Sequence, residues 1–293
     1  MTSSSIARLA LGTAQFGLPY GVSNTGGQVP DAHVKAILQA AQKAGVDMLD
    51  TAAAYGDAES IVARAAADLE RPFLIVSKAP PGASIDVVLA AVRRSAELAG
   101  KKGLDTILIH HPKDLAGHAG DHLWRALQDL ANEGVARRIG LSTSFEDHPR
   151  QLAARFSPSV IQLPVSLFDQ RLVRDGTLAE LAARGIEIHA RSIFLQGLLF
   201  ATAQQLSAPI QHIAPGLEAR RKWIVARGAT LVAAATAYVL AQPEIRRVVV
   251  GVTGLPELNE ALAAAAASPP DLPWADIAID DPTVLNPSRW QAS

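Results

Sequence analysis

The chain has 293 residues, 49% hydrophobic and 19% charged, with a formal net charge of −1 and no cysteine. That length suits one eight-unit barrel or two small domains, and it buries a core that needs no metal or disulfide staple. Disulfides, thiolate nucleophiles and cysteine metal sites are excluded, and interspersed charges without a basic patch argue against a nucleic-acid partner. The opening MTSSSIARLALG carries one basic residue ahead of a short apolar run, a poor signal peptide. The most apolar stretch, Ala229–Ala241, is too short to span a bilayer. The expectation is a soluble, cytoplasmic protein with no membrane partner.

Short β-rich runs alternate with alanine- and leucine-rich amphipathic segments. Leu9–Thr13 reads as the first strand, followed by a Gly-rich loop and a helix over Asp31–Ala44, with Asp31 after Pro30 as its N-cap. Asp47–Thr51 is the second strand, its helix opening near Asp57. Phe73–Lys78 is followed by a helix over Ser84–Ala99, and Thr106–His110 by one over His122–Glu133. The fifth strand is Arg138–Ser142, with Asp147 opening the next helix. Val160–Pro164 precedes a helix over Gly176–Ala183. Ile186–Ala190 leads into the long loop Gln196–Pro215 and helical sequence from Leu217. Arg247–Val250 is the eighth strand, before a helix over Leu255–Ala267. Strand-then-helix alternation predicts a parallel sheet wrapped by helices. Eight units without a break predict one domain over 1–293, a single (β/α)8 TIM barrel, with an open doubly wound sheet as the alternative. The tail 268–293, with five prolines and two tryptophans, is expected to lie over the barrel.

Barrel chemistry sits at the C-terminal ends of the strands. Asp50 ends the second strand in MLDTAAAYG, Tyr55 lies in the loop beyond it, Lys78 ends the third in FLIVSKAP, and His110 ends the fourth in ILIHHP. Taken singly, the Asp reads as a turn former, the Lys as a solvated strand end and the His as a strand cap. Taken together they make a proton-transfer site. A tyrosine is a weak acid whose phenolate a nearby ammonium favours. An aspartate keeps that ammonium charged and in place, and a histidine polarises a carbonyl oxygen. The set contains no nucleophile or metal cluster, so an external hydride source is its natural complement.

LGTAQFG (Leu11–Gly17), LDTAAAYGDAE, IVSKAP, DTILIHHP, GVARRIGLSTS and VVGVTGLPELNE, spaced over most of the chain, resemble the aldo-keto reductase superfamily. The start GTAQFGLPYGVSNTGG and the later ARSIFLQGLL are similar to its sugar and lactol dehydrogenase branch. The resemblance implies a C-terminal-face active site that uses NADP, the family default, or NAD, and a small carbonyl or sugar substrate. Tyr55 would be the general acid or base, tuned by Lys78 and Asp50, with His110 orienting the substrate oxygen. Ser142, Thr143 (usually Asn) and Gln162 would hold the nicotinamide carboxamide, and Gly12 and Thr13 would approach its ribose. Arg191 stands at the cofactor site where many relatives stack an aromatic ring on the nicotinamide; its guanidinium could stack there but would be repelled by an oxidised ring. The alternatives are that it faces a substrate oxygen or carboxylate or is held by a neighbouring acid, with Phe194 or Leu195 as the apolar wall.

Gly251, Val252 and Thr253 open the last helix, whose N–H groups suit phosphate. Glu257 there would repel a 2′-phosphate and accept a ribose hydroxyl, or else point to solvent, while Arg220, Arg221 or Lys222 could supply the missing cation. Phe16, Tyr20 and parts of the tail are expected in the pocket wall, with Gln196–Pro215 folding over it. Two rival readings stand beside this one. A Schiff-base aldolase would use Lys78 alone, and a non-catalytic cofactor-binding regulatory module would turn nothing over.

Overall fold

Runs that are short and apolar on both faces suit strands covered by helices outside and packed on one another inside. The computed structural model describes residues 5–290; the first four residues of the opening stretch and the last three of the tail lie outside the described residues. The strands are β1 (Leu9–Gly12), β2 (Met48–Asp50), β3 (Leu74–Lys78), β4 (Leu104–Ile109), β5 (Ala136–Ser142), β6 (Val160–Pro164), β7 (Glu187–Arg191) and β8 (Ile245–Gly251). They pair in parallel and in chain order, and β1 closes on β8: Leu11 faces Leu49 on one side and Val250 on the other. Closure excludes the open sheet and gives the (β/α)8 barrel.

The outer layer holds α1 (Asp31–Ala44), α2 (Ala58–Ala66), α3 (Ile85–Ala99), α4 (Gly117–Asn132), α5 (Pro149–Phe156), α6 (Thr177–Ala183), α7 (Ala214–Ala226), α8 (Leu231–Leu240) and α9 (Leu255–Ala266). No single helix among the described residues is long and apolar enough to cross a membrane, and the apolar stretch at Ala229–Ala241 forms α8, largely buried. Thr230 caps that helix, its hydroxyl accepting from the Ala233 N–H at 3.1 Å.

Several boundaries differ from the sequence reading, each for a local reason. Asp31 is the first residue of α1 and not its cap; Pro30 takes that position and the Asp31 carboxylate pairs with Arg64 at 2.6 Å. Asp147 closes a 3-10 turn, exchanging bonds with Ser144, and α5 starts only at Pro149, which lacks the N–H that a first helical position leaves unpaired anyway. The helix read from Leu217 begins at Ala214, with Pro215 in its first turn. The helix read from His122 begins at Gly117. The loop after β7 is folded into 3-10 turns, with Leu198, Leu199 and Ile210 buried. The tail packs back on the barrel: Ile279 N–H donates to Phe168 O at 2.9 Å, and Trp290 is buried with its indole N–H on Val284 O at 3.0 Å.

Strand parity organises the interior. Leu9, Leu11, Leu49, Ile107, Leu141, Ile161 and Val250 join the large core between strands and helices. The opposite parity, Ala10, Met48, Val76, Leu108 and Val160, forms a separate apolar plug inside the barrel. Because strand side chains alternate with a period of two, one step of two residues beyond each plug residue lands on the mouth. From Ala10 that step gives Gly12, and from Met48, Val76, Leu108 and Val160 it gives Asp50, Lys78, His110 and Gln162. The apolar plug is thus the floor of a polar ring.

Candidate active site

That ring opens into one cavity of about 1070 Å³, a size that accepts a large cofactor or a ligand of drug size. The proton-transfer set expected from the sequence, Asp50, Tyr55, Lys78 and His110, lines it, as do Gly12, Thr13, Ser142, Thr143, Gln162, Arg191, Gly251, Thr253 and Glu257.

Lys78 is 1% exposed and donates to Asp50 Oδ1 at 2.6 Å and to Thr51 O at 2.9 Å. The second carboxylate oxygen of Asp50 accepts from Gln162 Nε2 at 2.6 Å. Burial alone would lower the Lys78 pKa, but the Asp50 carboxylate and then the Tyr55 phenol outweigh it and hold the ammonium above its ordinary value. An amine held as a cation is no nucleophile, so the pair opposes a Schiff-base role for Lys78. The ammonium sits 5.1 Å from the centroid of the Tyr55 ring, and the His110 ring meets that of Tyr55 edge-on at 5.8 Å. Burial pushes His110 down to about 3, and the Lys78 charge adds to the effect. The imidazole is therefore neutral near pH 7, able to donate one N–H without carrying charge. Its Nδ1 is buried with no partner among the described residues.

Tyr55 is held by backbone contact. A Cβ on Gly17 would lie 1.8 Å from Tyr55 O and 2.7 Å from Ala58 N, and one on Gly56 would lie 2.6 Å from Gly17 O. The two glycines interlock the loop after β1 with the loop that carries the tyrosine, and Gly56 also takes the left-handed conformation, φ 54°. Tyr20 lines the same cavity as a neutral phenol, pushed up to about 12 chiefly by burial.

After β7 the chain turns sharply. Ser192, Leu195 and Gln196 all have positive φ (56°, 47° and 51°), a strained choice for residues with side chains. Val22 N–H fastens this turn by donating to Gln196 O at 2.9 Å.

Other sequence expectations need correction. Phe16 is fully buried in the core and forms no part of the pocket wall, because the short helical turn Ala14–Gly17 points it inward. Arg220 and Arg221 are committed elsewhere: Arg220 donates to Ile277 O and Ala278 O at 3.0 Å each, and Arg221 to Leu198 O, Leu199 O and Ala201 O. Lys222 is exposed beside Glu218 and does not line the cavity. Glu257 is exposed at the edge of the cavity, and one oxygen of its carboxylate accepts from the Thr253 N–H at 2.6 Å, which sets the negative charge at the start of α9. Phe194 and Leu195 both line the cavity, and the loop beyond them contributes only as far as Phe200.

Several lining residues escaped the sequence reading. Asn24 folds the loop after β1, donating to Tyr20 O and Gly27 O while its Oδ1 accepts from the Gly26 and Gly27 N–H groups. The SNTGG run is a turn signal that could have indicated it. Gln15 lies over Gly251, where a Cβ would approach its amide to 2.7 Å. The tail expected in the pocket wall supplies Leu285, Asn286, Pro287, Ser288 and Arg289, which no local pattern singled out one by one.

A family model described as the aldo/keto reductase family matches residues 8–278. The chain belongs to the aldo/keto reductase family. An aldo-keto reductase from Mycolicibacterium vanbaalenii is 33% identical over 145 residues, covering 47% of this chain, and the match spans only 50% of that relative's length. Among solved structures, the holo form of an aldo-keto reductase from Bacillus halodurans superposes with a TM-score of 0.73 at 18% identity, over 97% of this chain and 95% of that one. An aldo/keto reductase from Klebsiella pneumoniae, in complex with NADP and acetate, gives 0.69 at 21% identity, over 97% and 93%. At these identities the structural likeness is one of fold.

Proposed function

We propose that the chain is an NADP- or NAD-dependent oxidoreductase acting on an aldehyde, ketone or sugar lactol. The observation that carries this reading is the buried Lys78–Asp50 pair beneath Tyr55, with a neutral His110 beside the phenol. A bound nicotinamide supplies the hydride to the carbonyl carbon, or accepts it in the reverse direction. In reduction the Tyr55 hydroxyl gives its proton to the carbonyl oxygen as the C–H bond forms, and in oxidation the phenolate takes the proton back. Lys78 supports the phenolate electrostatically, and Asp50 keeps Lys78 charged. His110 donates to the same oxygen and orients it.

The residues fit the cofactor. Gln162 is fully buried, its Nε2 spent on Asp50 and its Oε1 without a partner among the described residues, an acceptor suited to a carboxamide N–H. Ser142 and Thr143 stand buried beside it, and Gly12 leaves room for a ribose. The Glu257 carboxylate at the start of α9 favours NAD over the 2′-phosphate of NADP. The first experiment is fluorescence titration with NADPH and NADH in parallel, followed by turnover of Tyr55→Phe. Cofactor binding with kcat lowered by 10²-fold or more supports the reading. Binding without turnover in the wild type would leave a regulatory module, and no binding of either nucleotide would remove the hydride source.

A further inference from the structure

Arg191 ends β7, and the two-residue step from His189 turns its side chain into the cavity. It lies beside Thr143, on the side where the nicotinamide carboxamide would rest, and takes no part in the proton transfer. Its bonds are weak: NH1 reaches Ser192 Oγ at 3.3 Å, NH2 reaches Thr143 O at 3.2 Å, and Nε is buried with no acceptor among the described residues. No described carboxylate forms an ion pair with it. Of the acids that line the same cavity, Asp50 is paired with Lys78 and Glu146 with Arg171 at 2.7 Å, while Asp147 accepts from Ser144 at 2.6 Å.

Arg191 is half-buried, and even partial withdrawal of a guanidinium from water without a counter-charge is costly. Elsewhere this fold avoids that cost. Arg138 sits between Asp105 and Glu187, Arg171 between Asp169 and Glu146, and Arg221 holds three carbonyls. Arg191 alone among these is left with two long bonds to neutral oxygens. Its charge reaches the reacting groups, since it helps to hold His110 neutral and opposes the rise at Tyr20.

We propose that Arg191 anchors a carboxylate of the substrate, so that the pocket selects carbonyl or lactol compounds bearing an acid group, aldehydic acids and uronic-type sugars, over their neutral counterparts. A planar guanidinium matches a carboxylate through two parallel N–H donors. Arg191, Tyr55 and His110 line the same cavity, so one substrate can present its carboxylate to the first and its carbonyl to the other two. This inference rests on the oxidoreductase reading of the same site.

The test compares kcat/KM for succinic semialdehyde and butyraldehyde, and for glucuronate and glucose, in the wild type, Arg191→Gln and Arg191→Lys. The wild type should favour the acid by about 10- to 100-fold, as for a charge-assisted hydrogen bond. The preference should collapse toward unity in Arg191→Gln, mainly through KM, and return in part in Arg191→Lys, which keeps the charge but loses the fork. An acid preference absent from the wild type, or unchanged in Arg191→Gln, overturns the assignment and leaves the oxidoreductase reading standing.

Should neither aldehyde nor sugar turn over, that reading fails, and calorimetry with succinate on the cofactor-free protein decides the assignment by itself. Binding that is lost in Arg191→Gln supports the anchor, and equal or absent binding refutes it.

Discussion

Replacing Lys78 by Met should destabilise the fold far more than the net worth of its ion pair. At the observed Nζ–Oδ1 separation of 2.6 Å, and with an effective dielectric of about 20, the gross attraction is roughly 6 kcal/mol. Desolvating two ions cancels most of it, so the intact pair contributes little net stability. Removing one partner is different. Lys78→Met leaves the Asp50 carboxylate, 4% exposed, with only the Gln162 amide to satisfy it, a loss of about 3–5 kcal/mol. For a chain of this size that lowers Tm by roughly 10 °C. Asp50→Asn should cost a similar amount, by stranding the ammonium.

The double variant, neutral at both positions, should recover to within about 2 kcal/mol of the wild type, a coupling of several kcal/mol between the two sites. Urea denaturation of the four proteins measures this, and turnover should be lost in all three variants whatever their stability. A double variant as unstable as the sum of the singles would refute the view that the two charges are retained as a unit for chemistry.

Gly17→Ala should lower kcat by tenfold or more, because its methyl would sit 1.8 Å from Tyr55 O and a shift of about 1 Å at a reacting group costs on the order of 10²-fold; kinetics beside a circular-dichroism melt separates this from unfolding. His110 makes stability depend on pH. Its folded value of about 3 lies below the unfolded 6.5, so the unfolded chain takes up the proton first and stability present above pH 6.5 is lost as pH falls toward 3. Between pH 7 and 5 the loss should reach about 2 kcal/mol, and the comparison of urea midpoints at those two values should flatten in His110→Gln. Glu257→Gln keeps an acceptor for the Thr253 N–H but removes the charge, so NADPH should gain several-fold in affinity relative to NADH, with the gain shrinking as salt is added.

The barrel was legible because its signal is local: each strand is a short apolar run and each helix is amphipathic, so the order of elements implies parallel pairing. The polar ring was legible for a related reason. Asp50, Lys78 and His110 interrupt apolar runs at their ends, where a polar side chain has few structural uses. What failed depends on long-range placement. Phe16 looks like pocket wall until the turn that carries it is seen to point inward. Arg220 and Arg221 look like free cations until the tail and the loop after β7 bring carbonyls to them. The tail was expected at the pocket, but that Arg289 is one of the residues to reach it depends on how the chain folds back across nearly the whole sequence.

The separation of plug from ring has a consequence for how this chain can change. In β1, β2, β3, β4 and β6 the strand writes one letter at the mouth above an apolar residue that already closes the floor, and in β7 Arg191 stands above the buried His189. Letters at the rim can therefore be rewritten one at a time, Arg191 to an aromatic or Thr143 to an amide, without reopening the structure beneath. A single-residue slip within a strand would instead exchange rim and helix-facing sides together, erasing the pocket and the packing at once. Such a scaffold drifts readily by substitution in its eight strands and hardly at all by insertion, which leaves its loops as the place for changes in length.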